Sequence, residues 1–211
     1  MLRLAVLIAV LCGWVGSAAA DVALAISVQG RITRLGDEPA RPLETLARLR
    51  DGDRLALDAG SRLRLVYFES GRQETWTGPG RLEVAPREGR PDGLAAADTR
   101  TLPLATARQI ARTPDTADPR PTVRTRAVPT PDALGRLDEA YRNLRAGRTD
   151  PDDLGPEIYL LSGLFELREL DRVERVMADL QQERRGNPEA GLLVALYRKA
   201  VRNAREAGAK H

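Results

Sequence analysis

The sequence predicts an α+β protein with its two kinds of structure in separate domains: an N-terminal antiparallel β sandwich or roll, then C-terminal stacked α-helical hairpins. Three observations carry this. Residues 50–84 alternate short apolar strands with glycine turns. Residues 112–131 lose apolar periodicity and gather prolines. Residues 131–208 show four apolar stripes at helical spacing, introduced by cap or proline signals.

The chain opens with Arg3, an apolar run from Leu4 to Val15, and the small residues Ser17, Ala18, Ala19 and Ala20. A basic start, a short apolar stretch and small residues before Asp21 make residues 1–20 a signal peptide, with cleavage expected after Ala20. The run is shorter than the roughly 20 residues that a membrane helix needs. No later segment is longer, so a mature periplasmic chain without a transmembrane helix is expected. Cys12 is the only cysteine and would leave with the leader. Leu11 is too large beside it for a lipoprotein acceptor. Packing must then hold the mature chain together without disulfides.

Charge is uneven along the remainder. Residues 21–99 carry 12 basic and 13 acidic side chains, residues 100–130 six and two, and residues 131–211 14 and 15, so two near-neutral segments flank a basic one. Lys199 and Lys210 are the only lysines. Arginine is thus spread over every segment instead of clustering on one element, and a nucleic-acid partner is not expected.

Within residues 21–108, Val22, Leu24, Ile26, Val28 and Ile32 share one parity against Ser27, Gln29, Arg31 and Thr33, which predicts a half-buried strand bent at Gly30. Gly36-Asp37-Glu38-Pro39 is a turn. Leu43, Leu46 and Leu49 fit a helical turn and a strand equally. After the Asp51-Gly52-Asp53 turn, Leu55 and Leu57 face inward. Leu63, Leu65 and Tyr67 then face one way, and Arg62, Arg64, Val66 and Phe68 the other. Ser70-Gly71 and Gly78-Pro79-Gly80 turn the chain again, and Leu82 with Val84 closes the series. Leu102 and Leu104 fit one more strand. Pro114, Pro119, Pro121 and Pro129 mark residues 109–130 as an extended connector, and the helical domain spans 131–208. Thr130-Pro131, Asp150-Pro151, Gly155-Pro156, Asp171 and Asn187-Pro188 are its start signals, and Gly147 and Gly186 its stops.

Gly30-Arg31-Ile32, Arg50 through Leu55, Ala59-Gly60-Ser61-Arg62-Leu63-Arg64-Leu65 and the Gly78 to Val84 strand together resemble the periplasmic domain of FecR-type regulators over about residues 25–90. The resemblance implies a β-rich sensory or scaffolding module outside the bacterial inner membrane. Such regulators carry a cytoplasmic anti-sigma segment and a membrane helix where this chain has its leader, so sigma-factor signalling does not carry over. Tyr159, Gly163, Phe165 and Asn187-Pro188 are distantly similar to a tetratricopeptide repeat, which implies a helical protein-binding surface.

His211, the sole histidine, is the last residue, so the chain offers neither a Ser-His-Asp arrangement nor a histidine metal cluster. The carboxylates Asp51, Asp53, Asp58, Glu69 and Glu74 sit near turns, where they build turns and solvated faces. Phosphate-cradling glycine motifs are absent from the sequence. No catalytic residue, cofactor or metal follows, and the expectation is a non-enzyme. Candidate ligand or partner contacts are Tyr67, Phe68 and Trp76 in the β half and Tyr159 and Tyr197 in the helical half. The expected function is an exported binding or scaffold protein for an envelope partner. The alternative is a cell-wall glycan module that stacks sugars on Tyr67, Phe68 and Trp76.

Overall fold

Short strands separated by glycine turns pair in register through the N-terminal half. The computed structural model describes residues 20–36, 39–95, 97–114, 132–148 and 150–208. Its strands are β1 (Asp21–Gln29), β2 (Ile32–Leu35), β3 (Arg41–Pro42), β4 (Arg48–Arg50), β5 (Arg54–Leu57), β6 (Arg62–Tyr67), β7 (Arg72–Thr77), β8 (Gly80–Val84), β9 (Gly89–Asp92) and β10 (Asp98–Thr101). They form two five-stranded antiparallel sheets, ordered β10-β7-β6-β1-β4 (sheet A) and β3-β2-β5-β8-β9 (sheet B). Leu55, Leu57, Leu63, Leu65, Leu82 and Val84 fill the space between them, as their parity predicts.

The expected bend at Gly30 is a change of sheet. Gly30 takes φ +77°, and a Cβ there would lie 3.0 Å from Ser61 Cα, so glycine lets β1 end in sheet A and β2 begin in sheet B. Nor is β1 half-buried: both of its faces are covered. Ala23 and Ala25 face the sandwich interior, while Leu24 and Ile26 face the helices. A register shift against β6 between Ala25 and Ser27 then brings Val28 onto the sandwich core. The three leucines at 43, 46 and 49 form neither a helix nor one strand. Leu43 and Leu49 enter the sandwich core, and Leu46, at φ +68° in a turn, enters the helical one.

Helices begin sooner than expected. Leu102 and Leu104 do not add a strand, because β10 ends at Thr101 and Pro103 opens α1 (Leu104–Ile110). α2 (Ala133–Ala146), α3 (Gly155–Glu166), α4 (Leu170–Glu183) and α5 (Pro188–Gly208) follow. Asn187 Oδ1 accepts the Ala190 N–H at 3.0 Å and caps α5 as predicted. α3 is buried at every position from Gly155 to Leu164, because α1, α2, α4 and α5 all pack around it. Gly163 permits the close crossing: a Cβ there would meet Leu137 Cδ1 of α2 at 2.4 Å.

The N-terminal half is therefore antiparallel β and the C-terminal half helical, as the sequence predicts. In space the helices cover the outer face of sheet A. Leu24, Ile26 and Val66 share one core with Ile110, Leu161 and Tyr197. The expected signal peptide but for Ala20, Thr130-Pro131, His211 and most of the expected proline-rich connector lie outside the described residues. The connector's first residues lie within them, and Ile110 and Thr113 are buried against the sheet and helices.

Candidate functional site

The aromatic candidates of the β half are not gathered on one surface. β6 sends Tyr67 into the sandwich, fully buried, and the chain just after it presses Phe68 against the helical core. This is the opposite-face arrangement that their adjacency requires. Trp76, offered with Phe68 as a stacking ring, faces the sandwich interior with Leu63 and Leu65. Its partner explains this. Glu74, two residues earlier on the same face, is completely buried, and its carboxylate accepts the Trp76 indole N–H at 3.0 Å, the Gly89 N–H at 3.0 Å and Arg72 Nε at 2.5 Å. Three donors offset the cost of burying that charge. The Tyr67 hydroxyl has no hydrogen-bond partner among the described residues. Burial, followed by the negative charge of Glu74, pushes its pKa far above that of an ordinary phenol.

Of the other turn acids, Asp53, Asp58 and Glu69 have partners within the β half, the Asp58 carboxylate lying 3.9 Å from Arg31. Asp53 accepts the Arg50 N–H at 2.6 Å and pairs with Arg34, and Glu69 pairs with Arg87 at 3.3 Å. Asp58 accepts the Ser61 hydroxyl at 2.7 Å through its main-chain carbonyl.

In the helical half, Tyr197 is fully buried on α5 and meets Phe165 edge to face, with centroids 6.1 Å apart. Tyr159 on α3 is also buried. Burial raises the pKa of both phenols. Both are therefore core residues that shape the helical surface from beneath.

Groups of polar contacts around Glu189, Arg64 and Arg48 bind the helical half to sheet A. Glu189 in the first turn of α5 accepts the Ser27 hydroxyl at 2.7 Å and the Val28 N–H at 3.0 Å, at the register shift of β1. Arg64 on β6, itself buried, pairs with Asp150 and lies 3.6 Å from Asp153, which also binds Arg100 of β10 at 3.2 Å. Burial opposes the charge on Asp150, but the hydrogen bond from Arg64 prevails and lowers its pKa. Arg48 of β4 donates to the Ala111 and Thr113 carbonyls, at 2.9 and 2.6 Å, at the end of α1.

A further buried charge lies inside the helical layer. Glu157, in the first turn of α3, has Arg148 Nη1 at 3.6 Å and Arg145 Nε at 3.8 Å. Its Oε2 has no hydrogen-bond partner among the described residues. Burial raises its pKa against the pull of both arginines.

An open groove of about 510 Å³ runs along the outer faces of α4 and α5. Met177, Ala178 and Val201 form its floor, with Arg198, Arg202 and Arg205 along the α5 side. None of these residues was singled out as a site in the sequence. The signal was nevertheless legible: three arginines at i, i+4 and i+7 lie on one helical face, beside the apolar stripe rather than within it.

No helix among the described residues is long and apolar enough to cross a membrane. No family model, curated protein or solved structure matches the chain.

Proposed function

We propose that this chain is an exported, non-enzymatic binding or scaffold protein of the bacterial envelope, in which a FecR-like β module carries a helical module that engages a protein partner. The observation that carries this reading is the open groove on α4 and α5, a concave surface lined by long side chains over an apolar floor. The buried charges Glu74, Arg64, Asp153 and Glu189 bind neighbouring elements of the fold, which fits a scaffold. Burial of Tyr67 and Trp76, with Phe68 packed under the helices, favours a protein partner over a glycan stacked on those rings.

Export is tested by osmotic-shock fractionation with intact-mass measurement. A periplasmic species beginning at Asp21 is expected, and a cytoplasmic species retaining residues 1–20 would overturn this part. Binding is tested by pull-down from envelope extract, with the mature chain as bait. A specifically retained envelope protein is expected, and the reading fails if nothing is retained above a bait-free control.

A further inference from the structure

The groove carries a more specific inference, which rests on the binding reading above. Its two helices differ in charge. Along the groove α5 presents Arg198, Arg202 and Arg205 against Glu206, and α4 presents Glu174. Some of this charge is already satisfied. Arg205 reaches Asp171 at 2.8 Å and Glu174 at 2.9 Å, closing one end of the groove, and Arg198 touches Gln181 at 3.5 Å toward the other. Arg202 lies between them on the groove wall, exposed, with no hydrogen bond or ion pair among the described residues.

We propose that this groove takes an acidic, extended polypeptide segment from a partner protein. A segment carboxylate pairs with Arg202, and neighbouring aliphatic side chains rest on Met177, Ala178 and Val201. Each part of the site selects one feature of that ligand. A guanidinium without a partner favours a carboxylate, which it can bind through two N–H donors at once. The floor excludes water from one side of the pair and rewards an aliphatic neighbour. Length sets the footprint: eight residue steps of α5 at about 1.5 Å give about 12 Å. That accommodates about four residues of extended chain at about 3.3 Å each. The net positive wall also accelerates encounter with an acidic segment, an effect that salt weakens.

The experiment is fluorescence anisotropy with the mature chain and three labelled peptides whose central residues are Asp-Leu-Glu-Leu, Asn-Leu-Gln-Leu or Lys-Leu-Lys-Leu. The acidic peptide is expected to bind about tenfold tighter than its neutral isostere, a gap that narrows as salt rises. Arg202→Glu should abolish that preference and transfer it to the lysine peptide, whereas Arg185→Glu, outside the groove, should leave it unchanged. The gain for the lysine peptide separates a reversed site from a misfolded variant. Equal binding of the acidic and neutral peptides, or an Arg202→Glu variant that keeps the acidic preference, overturns the proposal. The same variant in the envelope pull-down separates the two readings. A partner retained equally by wild type and Arg202→Glu leaves the binding protein standing and removes the groove. Acidic-peptide preference without any retained envelope protein does the reverse.

Discussion

Sheets A and B have the same number of strands and similar numbers of arginines, yet one is sealed on both faces and the other on one. On sheet B, β5 turns Leu55 and Leu57 inward and exposes Arg54, while β8 turns Leu82 and Val84 inward with Arg81 and Glu83 outward. Alternation of apolar with charged residues leaves one face to water. In sheet A, β1 alternates large with small apolar residues, so both faces need cover: alanines admit the opposing sheet, and leucine and isoleucine receive the helices. The same contrast appears at the edges of sheet B, where β3 is two residues long and ends in Pro42, and β9 carries Pro91. Short, proline-bearing edges resist further pairing and leave sheet B as an unextended outer wall.

Substitutions that treat the two sheets differently sharpen this comparison. The largest effect is expected for Leu24→Ala, which empties a fully buried site between sheet A and the helices, and should cost about 3 kcal/mol by urea denaturation. A cost below about 1 kcal/mol would mean that the helices do not bear on that face. Glu74→Gln should cost about 2 kcal/mol, because it weakens acceptance from Trp76, Gly89 and Arg72 inside the sandwich.

A smaller effect is pH-dependent. Native Glu157 has a raised pKa, so between the ordinary glutamate value and the raised one it holds a proton that the unfolded chain has released. Stability from this site is fully present below the ordinary value and is lost as pH rises through the raised one. Glu157→Gln should therefore remove that fall, so that the stability of the variant relative to the unsubstituted protein in urea increases as pH rises through this window, and a difference that does not change with pH would count against it. The smallest effect, below about 0.5 kcal/mol, is expected for Arg54→Ala on the open face of sheet B.

The central strands of sheet B, β5 and β8, were legible because their apolar and charged residues alternate cleanly, while its short edges β3 and β9 carry no such alternation. β6 was legible for the same reason, and the later helices by their apolar stripes, with Pro156 marking the start of α3 and Asn187-Pro188 that of α5, whereas Asp171, read as a cap, lies in the first turn of α4. The double burial of β1 was hidden, since a parity count that asks only for large apolar residues passes over Ala23 and Ala25. The inward face of Trp76 was hidden because Arg72, Gln73, Glu74 and Thr75 offer no apolar alternation from which to read β7. Only the fold shows that Glu74 is the buried acceptor that draws the indole in. Leucines two apart at 102 and 104 have strand spacing, and the proline between them starts a helix instead. As for the candidate site, the aromatics attracted notice by rarity and proved to be mostly core, while common arginines formed the groove.

The central claim is that the helices and sheet A share one core. In a chain beginning at Asp21, Trp76 is the only tryptophan, so its fluorescence reports the sandwich while far-ultraviolet circular dichroism reports mainly the helices. Urea unfolding of that chain, followed by both signals, is predicted to give coincident transitions with one midpoint and one slope. Two separated midpoints, with the helical signal lost while Trp76 stays buried, would contradict it.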